Sequence, residues 1–172
     1  MAVRPIVLYP DPVLRARALD VVEFGAELER LARDLADTMY AAPGVGLAAC
    51  QVGVAQRVAV VDVAPGRVDS QLHVLVNPRI VEAEGLELGE EGCLSIPGLT
   101  DKVSRPRRVR VTARRLDGSE FELEGEGLLA RALCHEIDHL DGVLFVDRLT
   151  GLRGELARRR LRKLPILEGV GA

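Results

Sequence analysis

The sequence predicts an α+β fold, and three observations predict it. Apolar residues recur at helical spacing early and again late in the chain. They alternate at strand spacing in between. The two patterns do not interleave in a strand–helix–strand rhythm. The 172 residues are enough for one ordinary domain, expected to span 1–172. Hydrophobic residues make up 48% but aromatic ones only 3%, so aliphatic side chains must build the core.

In chain order, the first 20 residues read as mostly extended, punctuated by Pro5, Pro10 and Pro12. Phe24, Leu28, Leu31, Leu35 and Met39 then recur at three- and four-residue steps, a buried helical stripe. That helix should stop near Ala42, ahead of Pro43-Gly44. A loop of small residues covers 44–53. Residues 57–63 and 72–76 read as strands, Asn77-Pro78 as a turn, and 80–83 as a further short strand. An irregular stretch follows over 89–97. Val109, Val111 and Ala113 alternate with polar residues, Asp117-Gly118 signals a turn, and Phe121 and Leu123 alternate again, which predicts a β-hairpin. A helix runs from about 126 to 140, closed by Asp141-Gly142, and a last, arginine-rich helix covers about 150–164.

Composition excludes several function classes. The net charge of −3 carries no global signature of nucleic-acid binding. No apolar run approaches the ~18 residues a membrane span needs, and the start does not resemble a signal peptide, so a soluble cytoplasmic protein is expected. Three cysteines (Cys50, Cys93 and Cys134) are a poor disulfide framework for a chain this size. Two basic stretches, 105–115 and 153–163, read as solvated surface, the second also as a ribosome-docking face.

The strongest local signal is His135-Glu136-Ile137-Asp138-His139. On a helix, residues i and i+4 project from one face, so two imidazoles there can grip one ion. Glu136 stands beside them, able to reach a water without ligating the metal; this is the HExxH pattern of metal hydrolases. A catalytic site usually takes three protein ligands and leaves one position for water. The third ligand is open from spacing alone. Glu155 and Glu168 are downstream carboxylates in no recognisable pattern, and Cys93 stands in Glu90-Glu91-Gly92-Cys93-Leu94-Ser95. His73 lies in a strand-like run and reads as solvent-facing or hydrogen-bonded.

These residues together resemble the peptide deformylase family. Gly44-Val45-Gly46-Leu47-Ala48-Ala49-Cys50-Gln51 is similar to its GxGxAAxQ, Glu91-Gly92-Cys93-Leu94-Ser95 to its EGCLS, and His135–His139 to its HExxH. The opening segment from Ile6 also resembles the family's, so the likeness runs to about Arg148. It implies small mixed or antiparallel sheets packed around a central HExxH helix, with one helix towards each terminus. It implies that Cys93, His135 and His139 hold one divalent metal ion, Fe2+ by family habit, with Zn2+, Ni2+ or Co2+ able to replace it. It further implies removal of the N-formyl group from N-formylmethionyl nascent peptides. A metal-bound hydroxide would attack the formyl carbon, Glu136 would act as general base and acid, and the Gln51 side chain and Leu94 backbone N–H would serve as oxyanion donors. Substrate binding falls to Gly44, Val45 and Gly46 along the peptide main chain, to Glu91, and to Leu128, Arg131 and Ala132 at the methionine pocket, where the charge of Arg131 can alter side-chain preference.

Three other readings compete. The Gly44–Ala49 run also fits a dinucleotide fingerprint, which requires a preceding strand, whereas here a helix and Pro43 precede it. A zinc peptidase gives Cys93 and Gln51 no use. A closed structural metal site needs a fourth protein ligand, and Cys134 sits about 100° around the helix from His135. Cys50 and Cys134 depart from the commoner family residues, the latter from glutamine. Cys134→Gln is accordingly expected to leave activity within an order of magnitude, as read by formate release.

Overall fold

A computed structural model of the chain describes residues 2–164. The first helix, α1 (Ala26–Ala41), forms because Leu28, Leu31, Leu35 and Met39 fall on one face and are all buried. Glu27 and Glu29 in its first turn complement the helix dipole. Phe24 precedes the helix and packs against the same apolar cluster from outside it. The chain then enters β1 (Gly46–Ala48), a short 3-10 turn (Ala49–Val52) and β2 (Val58–Val61), whose four residues are fully buried.

The third strand, β3 (His73–Glu84), is longer than the sequence predicts. Asn77-Pro78 does not turn the chain. Asn77 adopts a positive φ of 51° and makes an irregularity inside one strand, joining the 72–76 and 80–83 segments. Its side chain bridges to Val21, accepting from the Val21 N–H at 2.8 Å and donating to the Val21 carbonyl at 3.0 Å. Strands β4 (Glu87–Cys93) and β5 (Ile96–Arg105) then form a hairpin where the sequence predicts an irregular stretch. The predicted second hairpin follows as β6 (Arg108–Arg114) and β7 (Glu120–Glu126). Two helices complete the described chain, α2 (Leu128–Leu140) and α3 (Gly151–Lys163).

The strands make one five-stranded antiparallel sheet, in the order β1-β2-β3-β6-β7, and the separate β4-β5 ribbon. Helix α2 packs on the large sheet, burying Ala130, Leu133 and Ile137 against Val61, Leu75 and Val111. The ribbon packs elsewhere, its Ile96, Leu99 and Val103 joining Phe145, Ala157 and Leu161. Helix α2 is thus held between two separate β structures. Among the described residues, no helix is long and apolar enough to cross a membrane.

The arginines of 105–115 are largely paired across strands. Arg108 meets Glu124 at 2.8 Å, Arg110 meets Glu122 at 2.8 Å and Glu82 at 2.5 Å, and Arg114 meets Glu120 at 3.0 Å. Such exposed cross-strand pairs stabilise a sheet modestly and leave little free positive charge.

Candidate metal centre

Three short segments from different elements meet in one place. The β4–β5 hairpin bends sharply at Cys93, presenting its sulfur; one face of α2 presents His135 and His139; β1 and the turn after it present Gly46 and Gln51. The Cys93 Sγ lies 3.3 Å from His139 Nε2, which lies 3.2 Å from His135 Nε2. All three donor atoms fall within 4.8 Å of one another. A tetrahedral ion with ordinary metal–sulfur and metal–nitrogen bonds sets its donors roughly 3.3–3.6 Å apart, so one sulfur and two imidazoles at these spacings fit a single divalent ion. Glu155 lies on the exposed face of α3 and takes no part, and Glu168 lies outside the described residues. His73 is half-buried on β3, and burial lowers its pKa.

The electrostatics also favour a cation at the centre. Burial alone would lower the His135 imidazole, but the Cys93 sulfur and the Glu91 carboxylate outweigh it and raise it to about 10. His139 is held well below the usual range by burial and by its neighbours His135 and Arg105. The Glu91 Oε1 accepts from His135 Nδ1 at 2.9 Å, which turns His135 Nε2 towards the sulfur.

Glu91 is itself locked. Arg105 donates to both of its oxygens, Nε to Oε2 at 2.8 Å and Nη2 to Oε1 at 2.9 Å. Arg105 also reaches Asp138 at 2.6 Å, and Asp138 accepts from Arg148 at 2.7 Å. Glu91, Arg105 and Asp138 are buried, and their ion pairs run from the hairpin to α2. Burial of Glu91 would raise its carboxyl, but Arg105 and His135 hold it near 2, so it stays ionised. This network escaped the sequence because its bonded partners lie 10 to 44 residues apart, with no local pattern to join them.

A cleft of about 410 Å³ opens above these groups, lined by Gly44, Val45, Gly46, Leu94, Leu128 and Ala132 together with Cys93 and His135. Leu128 is half exposed at its mouth. Arg131 contributes to the wall while its guanidinium turns towards the hairpin, where Glu91 accepts from it at 2.8 Å. Glu91 likewise faces the cleft with a carboxylate already engaged by Arg105, Arg131 and His135. The Gln51 side chain is oriented from behind. Its Oε1 accepts from the Ala48 N–H at 3.0 Å, which leaves Nε2 facing Ser95 Oγ at 3.1 Å and the Cys93 sulfur at 3.7 Å.

Glu136 is buried, and its Oε2 has no hydrogen-bond partner among the described residues. Burial raises its carboxyl to about 7. A methyl group at Gly46 would overlap the Glu136 carboxylate, so the absence of a side chain there lets the carboxylate stand beside β1. Cys50 and Cys134 are buried thiols outside the cluster, both raised by burial, to about 12 and about 11.

Two imidazoles one helical turn apart, a carboxylate between them, and a cysteine from a separate hairpin define a metal-binding hydrolase of the HExxH type. Residues 3–155 match the family model described as polypeptide deformylase, and the chain belongs to that family. It is 49% identical to the peptide deformylase of Acidobacterium capsulatum over 95% of this chain and 96% of that one. It is 48% identical to that of Thermodesulfovibrio yellowstonii, over 94% and 98%. The crystal structure of a peptide deformylase from Legionella pneumophila superposes with a TM-score of 0.86 at 48% identity, covering 94% of this chain and 95% of that one. That from Thermus thermophilus gives 0.88 at 46% identity, covering 94% of each.

Proposed function

We infer that the chain hydrolyses the formamide at the amino terminus of N-formylmethionyl nascent peptides, releasing formate and a peptide with a free amine. The observation that carries this reading is the convergence of one sulfur and two imidazole nitrogens below a cleft edged by Glu136 and Gln51. A divalent ion held by Cys93, His135 and His139 supplies Lewis acidity and lowers the pKa of water beside it. Glu136, with a carboxyl near 7, can take a proton from water and return it to the leaving nitrogen at neutral pH. The water oxygen adds to the formyl carbon, the carbon–nitrogen bond breaks, and that returned proton completes the amine. The Gln51 side-chain amide, turning a hydrogen from the Cys93 sulfur to the substrate, and the Leu94 backbone N–H donate to the oxygen as it gains charge, each donor contributing about 3 kcal/mol at the transition state. β1 stands at the edge of the large sheet, so Gly44, Val45 and Gly46 offer backbone groups to an extended peptide. Leu128 and Ala132 form apolar wall for the methionine side chain, with the stem of Arg131 beside them. Glu91 serves this reading by aiming His135.

Ferrous iron is the metal assigned here in the cell; zinc, nickel or cobalt suits the same ligands. The protein is read as cytoplasmic. The exposed arginines of α3, among them Arg158, Arg160 and Arg162, are read as a ribosome-facing surface whose binding weakens with salt. A closed structural site would need a fourth protein ligand, and among the described residues the cluster offers three.

The test is formate release from formyl-Met-Ala-Ser by anaerobically prepared protein, with metal analysis of the same sample. Release in proportion to bound metal supports the reading, and metal-loaded protein that releases none refutes it. Gly46→Ala forces the Glu136 carboxylate aside and is expected to lower kcat/KM by about 10²-fold, since a displacement of that size costs a general base its alignment.

A further inference from the structure

We propose that Arg131 is a positioning residue that fastens the Cys93-bearing hairpin to the histidine-bearing helix, holding the sulfur at the spacing one metal ion requires. The proposal rests on the metal reading above. The β4–β5 ribbon shares no strand pairing with the large sheet, so side chains must fix its position relative to α2. Arg131 lies one turn before His135 on the same helix face and is 8% exposed. Its Nη1 lies 2.8 Å from the Val103 carbonyl, 2.8 Å from Glu91 Oε2 and 3.2 Å from the Gly89 carbonyl, and its Nη2 lies 2.8 Å from the Glu87 carbonyl. Three of these four acceptors are main-chain oxygens, and they belong to both strands of the hairpin.

That pattern separates a mechanical role from charge balance. Glu91 and Asp138 are already matched by Arg105 and Arg148, so the buried network does not need a third guanidinium for neutrality. A planar fork can span two strands and hold their carbonyls at once, which a side chain serving only as counter-charge would not need to do. Gly89 provides a second, independent observation. An added Cβ there would sit 2.8 Å from Arg131 Nη2 and 2.9 Å from Cζ. Gly89 has no left-handed torsion to explain the glycine, so the slot it leaves for the guanidinium does. The arginine and the missing side chain are two halves of one fitting.

Cobalt(II) binding tests this without relying on turnover. The dissociation constant is measured by chelator competition, and the sulfur-to-cobalt absorption band in the near ultraviolet reports whether Cys93 is bound. Arg131→Met removes the fork. Gly89→Ala leaves the arginine in place but pushes the guanidinium out of its slot, which keeps the test open should Arg131→Met fail to fold. Each single variant is expected to raise the dissociation constant by about 10–100-fold, the usual cost of losing a group that orients ligands, and to weaken the band. The double variant should be no worse than the worse single, because both release the same contact. Arg131→Lys should recover part of the loss. An unchanged constant in Gly89→Ala overturns the proposal. So does a loss of affinity that only follows a lowered unfolding midpoint of the metal-free protein while the band stays intact. Failure of the unmodified, cobalt-loaded protein to release formate would refute the deformylase reading alone, since the tether is judged on affinity and absorption.

Discussion

Glu136→Gln lowers the rate of formate release by about 10²–10⁴-fold while the protein keeps its metal and its fold; this is the expected result of removing a general base that is not a ligand. Glutamine has the same shape, so the cleft wall is preserved. It cannot accept a proton, so on the proposed mechanism the protein would neither activate water nor protonate the leaving nitrogen. The stability prediction has the opposite sign to the activity prediction. Burial raises the Glu136 carboxyl from its ordinary value of 4.5 to about 7, so its charged form is disfavoured in the folded state. That penalty is small at pH 4, where the group is mostly neutral folded or unfolded. It grows as pH rises past the unfolded value and is complete above the folded one. In the metal-free protein the glutamine variant should therefore match the parent's melting temperature at pH 4 and exceed it at pH 8. A variant that loses activity only because it unfolds would show the reverse at pH 8.

The second large effect is at Cys93. Cys93→Ser replaces a soft sulfur donor with a neutral hydroxyl, which is a weak ligand for a divalent ion. Metal affinity is expected to fall by more than the roughly 10–100-fold that changes among ligand-orienting residues cost. Formate release at a fixed metal concentration should fall with it. The fold should survive, because Cys93 lies at the hairpin bend while the apolar anchoring of the ribbon comes from Ile96, Leu99 and Val103. Equilibrium dialysis against zinc, followed by activity at saturating metal, separates loss of the ion from loss of the chemistry.

The parts of the fold set by local patterns were legible in the sequence, and the parts set by distant partners were not. The stripe from Leu28 to Met39 and the apolar run before His135 each carry a helical period, and both helices lie within two residues of the expected ends. The β6–β7 hairpin showed itself through alternation and through Asp117-Gly118. The β4–β5 hairpin did not, because Gly89, Gly92, Pro97 and Gly98 break the apolar alternation and its burial comes from packing against Phe145 and α3. Asn77-Pro78 carries turn chemistry, yet Asn77 spends its side chain on Val21 and the strand continues. In the site, the helix spacing alone put His135 and His139 together. The meeting of Cys93 with them was legible only through family likeness, since its hairpin lies more than 40 residues away in sequence. The engagement of Glu91 by three cationic or imidazole partners is set wholly by tertiary packing.

X-ray absorption at the metal edge, on protein carrying one equivalent of zinc, tests the metal centre most directly. One sulfur at about 2.3 Å and two imidazole nitrogens at about 2.0–2.1 Å, with a light atom completing four-coordination, is the predicted spectrum. A first shell without sulfur, or with only one imidazole, would contradict it.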